Sequence, residues 1–147
     1  MNLSTKLLIG GLLGGIMAFL CGWVIYGQFM YDFFQNSMIQ VPGMLKNTMN
    51  PGIKEWVSLM ISQFSLGFLM AFVLGKFREM DAVKGLIAGA IIMLLISLYM
   101  NCSLFFQLNL FGKKMIIADA LVSLVYGGLI GLVTGWYMGR AAVPKTP

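Results

Sequence analysis

Residues 113–140 read KKMIIADALVSLVYGGLIGLVTGWYMGR. Between flanking cations lies an apolar run of helix length that holds one charge, Asp119. At about 1.5 Å per residue it is long enough to cross a hydrocarbon core of about 30 Å. Gly127, Gly131, Gly135 and Gly139 recur every four residues, so they share one helical face. A stripe of that kind lets a neighbouring helix approach to backbone contact.

The rest of the chain has the same character. Of 147 residues, 59% are hydrophobic and 10% charged, against about 25% charged in a soluble domain. With a mean hydropathy of +0.87 this is the composition of a membrane protein. The net charge of +5 is carried by cations standing singly or in pairs at the ends of apolar runs. There they serve as headgroup anchors, and no basic stripe with interleaved aromatics suggests nucleic acid.

Three further apolar runs follow the same logic, giving spans at about 7–27, 56–75, 85–103 and 115–139. The first is too long for the 7–15-residue core of a signal peptide and no A-x-A site follows it, so it is read as retained. It carries two adjacent ladders, Gly10–Gly14–Ala18–Gly22 and Gly11–Gly15, and ends with Trp23 and Tyr26 at interfacial depth. Residues 28–55 are mixed and are read as an outer amphipathic segment, a helix at the membrane surface or an extension of the first span, interrupted by Pro42-Gly43 and Asn50-Pro51-Gly52. The third run stays uncharged up to Lys113, which predicts a span ending near Ser103 and an apolar turn over 104–112.

These observations give an all-α fold, a polytopic membrane protein built as one four-helix transmembrane bundle. Two tandem hairpins are one arrangement of it. Placing Lys54 on Lys114 sets Gly67, Ala71 and Gly75 over Gly127, Gly131 and Gly135, and KLLIGG at Lys6 matches KGLIAG at Lys84. Glycine ladders are frequent enough in membrane helices for chance to be the alternative. Counting cations by side sets Lys6, Lys76, Arg78, Lys84, Arg140 and Lys145 against Lys46, Lys54, Lys113 and Lys114, which favours cytoplasmic termini.

Chemistry is sparse. Histidine is absent, and Cys21 and Cys102 stand alone in apolar runs with no metal-ligand spacing. The thirteen methionines lack a tight copper-binding pattern and suit packing. Paired catalytic carboxylates, a nucleophile with a base and a phosphate loop are all missing, so an enzyme is not expected, nor a cofactor or metal. The exception is Asp119, because an ionisable group inside a membrane is costly. Ser123 and Tyr126 follow it on one helical face, and Asn101 and Gln63 fall at the same depth. One reading is an outward-facing polar pocket for a ligand or ion. The other is a carboxylate at a helix start, paired with Lys113 or Lys114, and interhelical bonds that fix the bundle.

GWVIYG at Gly22–Gly27, the mixed outer segment and NCSLFFQLNLFGKKMIIADALVSLVYGGLIGLVTGW at Asn101–Trp136 resemble an uncharacterised family of small four-span bacterial membrane proteins, a domain of unknown function. The resemblance implies four spans and a bacterial inner membrane, and supplies no reaction. Two functions are carried forward. In the first, a non-catalytic accessory subunit docks another membrane subunit or a second copy through Gly10, Gly11, Gly14, Gly15, Gly67, Gly127, Gly131 and Gly135. In the second, a small transporter or channel works through Asp119, Asn101, Ser123, Tyr126 and Gln63.

Overall fold

The computed structural model describes residues 3–39, 51–77 and 80–142. Helix α1 (Leu3–Val24) runs into a π-helical turn, Ile25–Phe29, and a short helix α2 (Tyr31–Ser37) follows. The other long helices are α3 (Ile53–Leu74), α4 (Ala82–Gln107) and α5 (Lys113–Ala142). Four of these segments are long and apolar enough to cross a membrane, and the chain is a multi-pass, all-α membrane bundle. Outward-facing Leu, Ile and Phe side chains on α3 and α4 are what a hydrocarbon solvent permits.

Two boundaries differ from the sequence expectation. Nothing between Ser103 and Gln107 breaks a helix, so α4 continues one turn further, and the Leu108 amide closes it on the Leu104 carbonyl at 2.7 Å. Among the described residues of the outer segment, Gln28 and Phe29 finish the π-helical turn, α2 covers Tyr31–Ser37, and α3 already begins at Ile53. Of its breakers, Pro42-Gly43 and Asn50 lie outside the described residues, while Gly52 is the extended residue that opens α3. At the opposite end Asp81 caps α4, accepting from the Lys84 amide at 2.8 Å.

That amide, helped by the Lys84 ammonium, holds the Asp81 carboxyl below its usual range. The folded state therefore binds this proton less readily than the unfolded state. The stabilisation is complete above the ordinary carboxylate pKa and fades as pH falls through the lower folded value. Asp81→Ala should speed hydrogen exchange at the Lys84 amide near neutral pH. After division by the intrinsic exchange rate at each pH, acidification should lower the protection of this amide in the parent protein and have no further effect in the variant.

The helices pair as two hairpins, α1 with α3 and α4 with α5. In the second hairpin Gly85 and Gly89 of α4 meet Gly127, Gly131 and Gly135 of α5 backbone to backbone. A methyl group on Gly135 would lie 2.7 Å from the Gly85 Cα, and one on Gly89 would lie 2.8 Å from the Gly131 Cα. In the first hairpin Gly67 of α3 sits between Gly11 and Gly15 of α1, with 2.6 Å available to the Gly15 Cα.

The two contact patterns are one register written twice. Moving α1 by the Lys6-to-Lys84 step and α3 by the Lys54-to-Lys114 step turns Gly11, Gly15 and Gly67 into Gly89, Met93 and Gly127. These three are in mutual contact, since Gly127 touches Gly89 and Met93. Leu7 against Gly75 likewise becomes Gly85 against Gly135. The repetition stops at the hairpins. Helix α5 packs on α1 and α3 as well as α4, whereas α4 barely reaches α3.

The small-residue faces are thus used inside the chain. Gly11 and Gly15 are filled by Phe68 and Phe64 of α3, Gly10 by Met138 of α5, and Gly14 by Thr134 and Gly67. The second ladder of the first span serves α3, while the first lies along the seam between α5 and α3, because α1 is wedged between two neighbours. Methionine does the filling elsewhere: Met70, Met80, Met93, Met115 and Met138 are all buried.

Candidate functional site

Stepping by four along α4 from Gly85 gives Gly89, Met93, Ser97 and Asn101, the face turned to α5. Glycine ends where the polar residues begin. The corresponding face of α5 carries Gly131, Gly127, Ser123 and Asp119. The antiparallel hairpin therefore brings Ser97 and Asn101 onto Asp119, toward the end of the bundle where α4 finishes and α5 begins.

Ser97 Oγ donates to Asp119 Oδ2 at 2.6 Å, and Asn101 Nδ2 donates to the same oxygen at 2.6 Å. The second hydrogen of Asn101 Nδ2 goes to Ser97 Oγ at 3.0 Å. Tyr26 comes from the other hairpin, and its hydroxyl donates to Asp119 Oδ1 at 3.2 Å and lies 3.3 Å from Ser123 Oγ. It stands in the π-helical turn, where one additional residue per turn changes the direction of the side chains.

A second polar contact adjoins the first. Tyr126 donates to Gln63 Oε1 at 2.7 Å and lies 3.2 Å from the Ala18 carbonyl oxygen. Its ring meets that of Tyr26 edge-on, centroids 5.7 Å apart. On its other side Tyr26 stacks on Phe34 of α2, also at 5.7 Å. Helix α2 is held across this end of the bundle by the Ile39 amide, which donates to the Leu110 carbonyl at 2.9 Å, and by the Met38–Phe111 bridge.

All five polar residues singled out from sequence fall in this region, but in two groups. Asp119, Asn101 and Ser123 join through Tyr26, while Gln63 and Tyr126 pair beside them. Where the sequence suggested an open pocket, these side chains satisfy one another. The pairing of Asp119 with Lys113 or Lys114 is not what forms. Its partners are neutral donors, and among the described residues no cation is in ion-pairing range of it. Both lysines are exposed at the helix start, where water and headgroups solvate them better than an interior carboxylate would.

Two members were missed in the sequence. Ser97 is buried and lies one turn before Asn101 on the glycine face, so extending that ladder by four would have found it. Tyr26 was read as an interfacial anchor, a role that Trp23 fulfils by pointing outward. Ser58 and Ser62 are exposed, and Ser62 bonds back to the Leu59 carbonyl at 2.8 Å while accepting from Gln63 Nε2 at 3.4 Å. Among the described residues no group of three His, Cys, Asp or Glu could hold a metal ion. Comparison with family models, curated proteins and solved structures gives no match for this chain.

Proposed function

We propose that the Asp119 cluster binds a small monovalent cation or proton within the membrane, and that the chain works without catalysis as a small transporter or channel element. The observation that carries this reading is the absence of such a cluster from the first hairpin. By the same two steps, Ser97, Asn101 and Asp119 correspond to Phe19, Trp23 and Leu59. The first hairpin packs through the same register without a carboxylate at the matching place, whereas the half-buried Asp119 stands in the second. Packing alone therefore does not call for Asp119, and a charge kept at such cost needs another reason. The charge is single, so one positive charge neutralises it, whereas a divalent ion would leave the site charged in a low-dielectric medium.

The test is ion flux into vesicles of purified protein, comparing the parent with Asp119→Asn. Flux in the parent and its loss in the variant, with the melting temperature kept, supports the reading. Equal flux in both, or none in the parent at any ionic composition, removes it.

A second reading, an accessory subunit that pairs with another membrane subunit or a second copy, is favoured by the asymmetry between the hairpins. The α1–α5 seam has only a sparse counterpart at α4–α3. Cross-linking from α4 in native membranes tests it. Membership in the four-span bacterial family, an inner-membrane location and cytoplasmic termini belong to this proposal too, on the motifs and the lysine and arginine count already given.

A further inference from the structure

We infer that the ion is a proton, and that the hydroxyls of Tyr26 and Ser123 form a reversible hydrogen-bond chain that lets Asp119 be charged or neutral without a rearrangement of heavy atoms. This inference rests on the Asp119 reading and names the substrate class of that site.

Counting hydrogens supports it. In the charged form Asp119 Oδ2 accepts from both Ser97 and Asn101, and Oδ1 accepts from Tyr26. The Tyr26 oxygen can then accept from Ser123. Every one of these hydrogens points toward the carboxylate, as an anion requires. A metal ion at the same place would need lone pairs in their stead, and Asn101 already directs both amide hydrogens into the cluster.

In the neutral form the arriving proton has one place to go. Oδ2 is already engaged by two donors, so the proton bonds to Oδ1. The new O–H donates to the Tyr26 oxygen. The Tyr26 hydroxyl turns to donate to Ser123 Oγ, and the Ser123 hydroxyl turns to the carbonyl one turn back on its own helix. One proton is added and no bond other than O–H is made. The Tyr26–Ser123 contact permits donation in either direction, which is the freedom this exchange needs.

The ionisable groups on the elements packed at this end include Asp32 of α2, Lys54 and Glu55 of α3, Cys102 of α4, and Lys113 and Lys114 of α5. Among the described residues no basic group pairs with Asp119. Tyr126, on the neighbouring turn, gives its hydrogen to Gln63 and stays outside the chain.

Infrared difference spectroscopy of the full chain in lipid, with carbon-13 aspartate, reads the neutral carboxyl directly. Acidification should raise one neutral-carboxyl band that is lost in Asp119→Asn. Ser123→Ala should keep the band but shift it, because Tyr26 then lacks an acceptor for its reversed hydroxyl. Sodium or potassium at fixed pH should leave the band unchanged. The inference is overturned if no Asp119-dependent band rises, if sodium abolishes the band at fixed pH, or if Ser123→Ala leaves its position unmoved. Vesicle flux on the same samples separates the two claims. Flux that needs Asp119 and sodium, with no band, overturns the proton and keeps the site, whereas loss of both flux and band removes the site as well.

Discussion

Gly131→Ala should open the second hairpin, while Gly128→Ala three residues away should be tolerated. A methyl group on Gly131 would lie 2.8 Å from the Gly89 Cα and closer still to the Gly85 carbonyl oxygen. Carbon atoms sit best at about 3.5–4.0 Å, so the helices would have to separate by about 1 Å. Backbone cannot swing aside as a side chain does, and the strain would spread to the Gly85–Gly135 and Gly89–Gly127 contacts. Forced overpacking costs about 1–3 kcal/mol in a well-packed core, and this position belongs at the upper end. At Gly128 the nearest atoms are Leu86 Cγ and its carbonyl oxygen at 3.6 Å, and Ala90 Cβ at 3.7 Å, which is ordinary contact. There the gain in helix propensity, up to about 1 kcal/mol, should leave stability unchanged or raised. Thermal unfolding in mild detergent, with a distance probe between α4 and α5, distinguishes the two. Equal melting of both variants would mean that the hairpin does not depend on backbone contact along this stripe.

That contrast also marks how far the sequence could be read. Spacing of four in Gly127, Gly131 and Gly135 identified the close face, and aligning Lys54 with Lys114 found its counterpart at Gly67, Ala71 and Gly75. The sequence did not say what those faces touch. Gly11 and Gly15 look like spare docking surface on an isolated helix, and only tertiary packing reveals that Phe64 and Phe68 fill them. Asp119 and Asn101 stood out because polar residues are scarce in such a chain. Ser97 did not, because a serine in a membrane helix is common. Tyr26 was beyond reach for a different reason. Its direction depends on a π-helical turn, and nothing in IYGQF alone distinguishes that turn from a continued α-helix.

Replacing the cluster with apolar residues should cost little stability and abolish transport. In the variant Ser97→Ala/Asn101→Leu/Asp119→Leu, all three donor–acceptor groups on the hairpin interface leave together. The Tyr26 hydroxyl, which loses Asp119, can turn to Ser123, and the interface resembles the Phe19, Trp23 and Leu59 positions of the first hairpin. Interhelical hydrogen bonds in membranes average about 0.6 kcal/mol, so losing the three bonds among these side chains forfeits about 2 kcal/mol, partly offset by removing a charge from the interior. Asp119→Leu alone is the harsher change, since the Ser97 hydroxyl and one Asn101 amide hydrogen lose their acceptor at the hairpin interface, while the other Asn101 hydrogen keeps Ser97 Oγ. The triple variant should accordingly melt above the single one, and both should lack ion flux. If the triple variant instead unfolds during extraction, the cluster holds the hairpin together and the comparison with the first hairpin fails. If it stays folded and still moves ions as the parent does, Asp119 is a structural charge, and the path must lie elsewhere in the bundle.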